Sequence, residues 1–235
     1  MSADSETPQP PAEAPWVAGW QAAKANLVPG LVIQAIMLAL LLAYYFYPPT
    51  TDLLNRLAGV KQAWGYGYSL VSAAIAGAVI PEILRIVLLQ GRRVTRANLS
   101  NFLFSAVYWG VMGMVVDFFY RLQARWFGEE ASFEVVAKKV LVDQFLYNPL
   151  FAAPVVAILY DWKNSGYRVR GFGRFFTWRY YKTTVIPTLF ATWGVWIPII
   201  TIIYSLPSLL QIPLFGLALS LWVMLYTWMS ERRAG

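Results

Sequence analysis

The chain has no cysteine and no histidine, and only 13% of its 235 residues are charged. Without cysteine there is no disulfide and no thiol chemistry. Without either residue, ordinary zinc sites, haem ligation through His or Cys, and any triad with histidine as base are excluded. No phosphate-cradling glycine loop, metal-ligand set or activated nucleophile is visible, which argues for a non-enzyme with no cofactor and no metal. Charge is scarce because apolar residues fill the chain: 58% is hydrophobic and 17% aromatic, more than the core of a soluble domain requires.

That surplus is organised into six apolar segments, Leu27–Tyr47, Tyr66–Leu89, Leu99–Leu122, Lys138–Tyr160, Val185–Tyr204 and Leu209–Met229. A hydrocarbon core of about 30 Å needs about 20 apolar residues per helix. The expected fold is therefore all-α, a polytopic transmembrane helical bundle of about six helices, or five if the first lies flat, joined by short loops. Residues 26–235 form its single domain. Residues 1–25 form a polar, acidic, proline-rich tail with an interfacial piece bearing Trp16 and Trp20. The tail resembles neither a secretory signal nor a transit peptide.

Six crossings sort the basic residues twelve to six, and the positive-inside rule then puts both termini on the cytosolic side. The net charge of +7 reads as topology signal and lipid contact, not nucleic-acid binding. The expected partners are membrane lipids and small hydrophilic solutes or ions, with a homo-oligomer possible.

The stretch Lys138–Pro149, KKVLVDQFLYNP, places Asp143 and Gln144 inside a span, where an ionisable group has a task or a partner. Lys139 and Asp143 share a helix face at i,i+4. Across the antiparallel third helix, Asp117 and Arg121 lie at similar depth, so a four-charge cluster is expected, with Lys138 beside it. Gln144 and Asn148 continue a polar stripe inward. Pro149 and Pro154 withhold N–H groups from the carbonyls of Phe145 and Leu150 and predict a break, and Pro187 and Pro198 do the same in the fifth span. Glu82 and Arg85, at i and i+3, are expected to pair internally. Trp193, Trp196, Trp222 and Trp228 read as interface anchors and packing elements rather than a ligand cage.

Three readings of the cluster stand side by side. The charges staple the helices of a scaffold or lipid-binding protein, or they line the mouth of a weakly selective pore. In the third, Asp143 or Glu82 acts on lipid, with the basic loop Arg168–Lys182 holding the headgroup.

Lys138, Lys139, Asp143, Gln144, Tyr147 and Pro149 match in order and spacing the central signature of the Mpv-seventeen and peroxisomal-membrane-protein-twenty-two (Mpv/PMP) family. Gly110, Gly113 and Tyr120 upstream, with Pro187, Pro198, Trp222 and Trp228 downstream, extend the resemblance over roughly Ala74 to Glu231. The departures are Met114, Asp117 and Phe119 where the family has proline, histidine and tryptophan. Further on, Phe190, Trp193 and Ile202 replace a glutamine, an asparagine and an arginine, and the first apolar segment is additional. The resemblance implies a helical protein of peroxisomal or inner mitochondrial membranes with non-selective channel activity. The acidic tail and alanine- and arginine-rich usage suggest a bacterial relative in the cytoplasmic membrane.

Overall fold

A computed structural model of the chain describes residues 20–234 except Ala22, with backbone alone for Leu89 and residues 224–234. The expected tail at residues 1–15, Trp16, and the side chains of Trp228, Glu231, Arg232 and Arg233 lie outside the described residues. Among those described, every regular element is helical. Five helices are long and apolar enough to cross a membrane: α1 (Leu27–Phe46), α3 (Tyr66–Leu88), α4 (Arg96–Phe127), α5 (Phe133–Asn164) and α6 (Trp178–Tyr204). The last helix, α7 (Ser208–Ala234), is apolar over Ser208–Val223.

One helix was not expected. Residues 48–65 carry no apolar run, yet α2 (Pro48–Trp64) forms there. Two prolines at its first turn need no N–H partners, and Gly65 at φ 54° ends it. Its buried face is Leu54, Ala58 and Lys61, the spacing of one helical stripe. With Leu54 and Ala58 it joins the core that Ile33 and Met37 of α1, Ile199 and Ile203 of α6, and Leu210 and Leu214 of α7 build at this end of the bundle. We call it the α2 end. The opposite end carries Arg92, Arg93, Arg96 and the arginine-rich connection from Ser165 to Thr177, and we call it the basic end.

Helices α3, α5 and α6 widen locally into π turns, at Ile75–Val79, Arg85–Leu89, Asp143–Ala152 and Tyr181–Val185. Over Asp143–Ala152 the bonds run five residues back, as in Ala153 N–H to the Asn148 carbonyl. The carbonyls orphaned by Pro149 and Pro154 are therefore those of Gln144 and Pro149, not Phe145 and Leu150. Both are met from α6: Trp193 Nε1–H donates to the Gln144 carbonyl at 3.1 Å, and the Tyr181 hydroxyl donates to the Pro149 carbonyl at 3.0 Å. Pro198 sits in α-helical geometry and orphans the Gly194 carbonyl, which accepts from Gln34 Nε2 of α1 at 2.9 Å. These three breaks are each closed by another helix, as a bilayer without water requires, whereas Pro187 stands in the first turn after the π segment Tyr181–Val185.

Helices α3 and α4 touch backbone to backbone. A Cβ on Gly113 would overlap the Ser69 carbonyl and the Ala73 side chain, and one on Gly77 would overlap the Trp109 ring. The small-residue spacing of Ala73 and Gly77 is thus used for close approach. This contact also brings Ser69 to the carboxylate of Asp117.

Candidate functional site

The polar residues of the α2 end fall into two groups rather than one four-charge cluster. In the first, Asp117 is 3% exposed and is held by three donors. Lys61 of α2, itself 2% exposed, forms an ion pair with it, Ser69 Oγ donates at 2.6 Å, and Arg121 Nε donates at 3.0 Å from one turn along α4. Arg121 leans out, its guanidinium 4.7 Å from the centre of the Tyr66 ring. Burial pushes the Lys61 ammonium below its ordinary pKa, while the bond to Asp117 pulls it back up. Lys61 also donates to the Gly65 carbonyl at 3.0 Å, which ties the end of α2 to the pair.

In the second group, Asp143 is 6% exposed. Its oxygens accept from the Tyr204 hydroxyl at 2.6 Å and from Gln144 Nε2 at 2.8 Å, and Gln123 Nε2 of α4 donates to the same Tyr204 oxygen at 2.6 Å. The expected Lys139–Asp143 bridge does not form. Asp143 sits where α-helical bonding gives way to the π turn, and Tyr204 supplies a neutral donor to its carboxylate. Lys139, buried, instead lies 5.8 Å from the Tyr204 ring centre. Lys138 pairs with Glu134 on the exposed face of α5.

The expected Glu82–Arg85 pair is also absent among the described residues. Glu82 accepts from the Asn98 side chain at the first turn of α4. The carbonyl oxygen of that same amide accepts from the Thr95 N–H at 2.6 Å as a helix cap. Glu82 thus has a neutral partner across the helix boundary, and Arg85 opens the next π turn.

Two chambers flank these groups. A vestibule of about 530 Å³ is lined by Lys61, Asp117, Arg121, Arg125, Glu129 and Gln211. A half-open cavity of about 390 Å³ between α3, α4, α5, α6 and α7 is lined by Asp143, Gln144, Tyr147, Asn148, Thr188 and Thr192, with Trp196 and Trp222 on its wall. Tyr120 lines both. Of the expected path residues, Asp117 and Arg121 fall in the first chamber and Asp143, Gln144 and Asn148 in the second, whereas Lys138 and Lys139 line neither. Outside the bundle, α4 and α5 enclose an apolar groove of about 900 Å³ reaching Arg96 and Trp162.

Lys61, Gln123, Tyr204 and Trp193 are the participants that sequence reasoning passed over or gave another part. Lys61 had a signal, since it completes the stripe begun by Leu54 and Ala58. Tyr204, the last residue of an apolar run, had none.

The fold and these chambers define a membrane-embedded α-helical protein with most of its buried polar side chains gathered toward one end, Asn26, Glu82 and Asn98 lying at the other. No family model, characterised protein or solved structure matches the chain.

Proposed function

We propose that the protein is a weakly selective permeation protein for small solutes, in which vestibule and cavity are consecutive parts of one path. The observation that carries this reading is Tyr120, a single side chain shared by both chambers. The vestibule's mixed charge suits hydrophilic solutes or ions, and Asp143, Gln144 and Asn148 extend the polar wall beyond it. The match of Lys138–Pro149 to the Mpv/PMP signature supports the same reading. On it the chain is a bacterial relative of that family in the cytoplasmic membrane, with the basic end toward the cytosol.

In planar bilayers the purified protein conducts, Asp143→Asn changes the ion preference, and Tyr120→Ala raises the conductance by joining the chambers. Unchanged selectivity in Asp143→Asn counts against the reading. Silence from both the wild type and a folded Tyr120→Ala variant selects a second one, a non-conducting scaffold. What favours that alternative is the full pairing of Asp117 with Lys61, Arg121 and Ser69. Such pairing is enough to explain buried charges as helix staples.

A further inference from the structure

We propose that the cavity beside Asp143 binds a small organic cation, an alkylated ammonium compound. The wall presents the rings of Tyr108, Trp109, Tyr120, Tyr147, Trp196 and Trp222. Among the described residues, Asp143 is its only carboxylate, and no lysine or arginine lines it. Ring faces carry the negative side of the aromatic quadrupole, and they attract cations most strongly where water is excluded. A lone carboxylate adds a Coulomb term of the same sign. An anion would meet both as repulsion, and a neutral solute would gain only apolar contact.

The hydrogen-bonding inventory agrees. Gln144 Oε1 and the Tyr147 hydroxyl are buried without a partner among the described residues, and both residues line the cavity. Gln144 is 4% exposed, so its idle acceptor is an unmet cost that a donor on the ligand would remove, an N–H in a protonated amine or the hydroxyl in choline. Asp143 accepts one bond on each oxygen, which leaves further lone pairs for a ligand. The volume, about 390 Å³, lies toward the small end of ligand pockets, which run from about 300 to 1,000 Å³. That size fits a compact amine and not a lipid. Mixed charge in the vestibule and a single negative charge in the cavity together place the discrimination at Tyr120 and beyond.

This assignment names the ligand class for the path proposed above and rests on that reading for its part in transport. Binding is measured on the full chain in detergent by calorimetry. The probes are choline, its uncharged carbon isostere 3,3-dimethylbutan-1-ol, and 3,3-dimethylbutanoate as an anion of the same shape. Choline binds, the isostere binds roughly tenfold more weakly or worse, and the anion gives no heat. Asp143→Asn removes most of the preference for choline over the isostere. Thr192→Trp, which fills the cavity from α6 and leaves the carboxylate in place, abolishes choline binding and serves where Asp143→Asn does not fold. Equal binding of choline and the isostere, no binding of choline, or undiminished binding in Thr192→Trp overturns the assignment. Choline binding without flux in liposomes keeps the site and removes permeation, whereas flux without choline binding does the reverse.

Discussion

Replacing Trp193 with phenylalanine tests whether the break in α5 is closed from α6. Phenylalanine keeps an aromatic ring beside Phe145 and Phe190, whose ring centres lie 5.2 and 5.4 Å from that of Trp193. What it removes is the Nε1–H that meets the Gln144 carbonyl at 3.1 Å. Orphaning a buried acceptor costs about 1–3 kcal/mol, and interhelical hydrogen bonds in membranes measure about 0.6 and at most about 1.7 kcal/mol. The expected loss is therefore about 1 kcal/mol. The sharper form pairs it with Pro149→Ala, which restores the N–H that would reach the same carbonyl in the π register. With that N–H present, Trp193→Phe should cost only a few tenths of a kcal/mol, a coupling of about 0.5–1 kcal/mol. Reversible unfolding of the four proteins in mixed micelles, followed by helical circular dichroism, reads the cycle. Strict additivity would refute the assignment of Trp193 as the donor that replaces the proline.

Other outcomes follow from neighbouring contacts. Asp117→Asn strands a buried lysine and should cost about 3–5 kcal/mol. Lys61→Met should cost less, because Asp117 keeps Arg121 and Ser69; the reverse order in the same unfolding assay would contradict the pairing. Gly113→Leu forces a side chain against the Ser69 carbonyl and should destabilise by about 1–3 kcal/mol. Gly59→Ala, at an exposed helical position with open space around it, should instead stabilise by about 0.5–1 kcal/mol.

The apolar segments were legible because a bilayer imposes length and composition on each helix separately, and the helix ends differ from expectation by only a few residues at most boundaries. The buried polar residues Asp143 and Gln144 were legible for the same reason, since they interrupt the apolar pattern. Their partners were not. Lys61, Tyr204 and Gln123 come from other helices, and helix crossing is set by packing such as Gly113 on Ser69, which one chain's pattern does not encode. An i,i+4 rule derived from regular α-helix also misled at Lys139 and Asp143, where the backbone changes register and a tyrosine supplies a competing donor. The same change of register moved the orphaned carbonyls by one residue, and nothing local to Pro149 announces that Trp193 will answer it.

The order of synthesis gives these closures different histories. Pro198 enters with α6 when α1, carrying Gln34, has already been made, so its orphaned carbonyl finds a donor on arrival. Helix α5 emerges before α6, and its Gln144 and Pro149 carbonyls have no Trp193 or Tyr181 to meet until the next helix follows. In a medium that offers no water to an open carbonyl, α5 carries two unmet acceptors, at about 1 kcal/mol each, until α6 packs beside it.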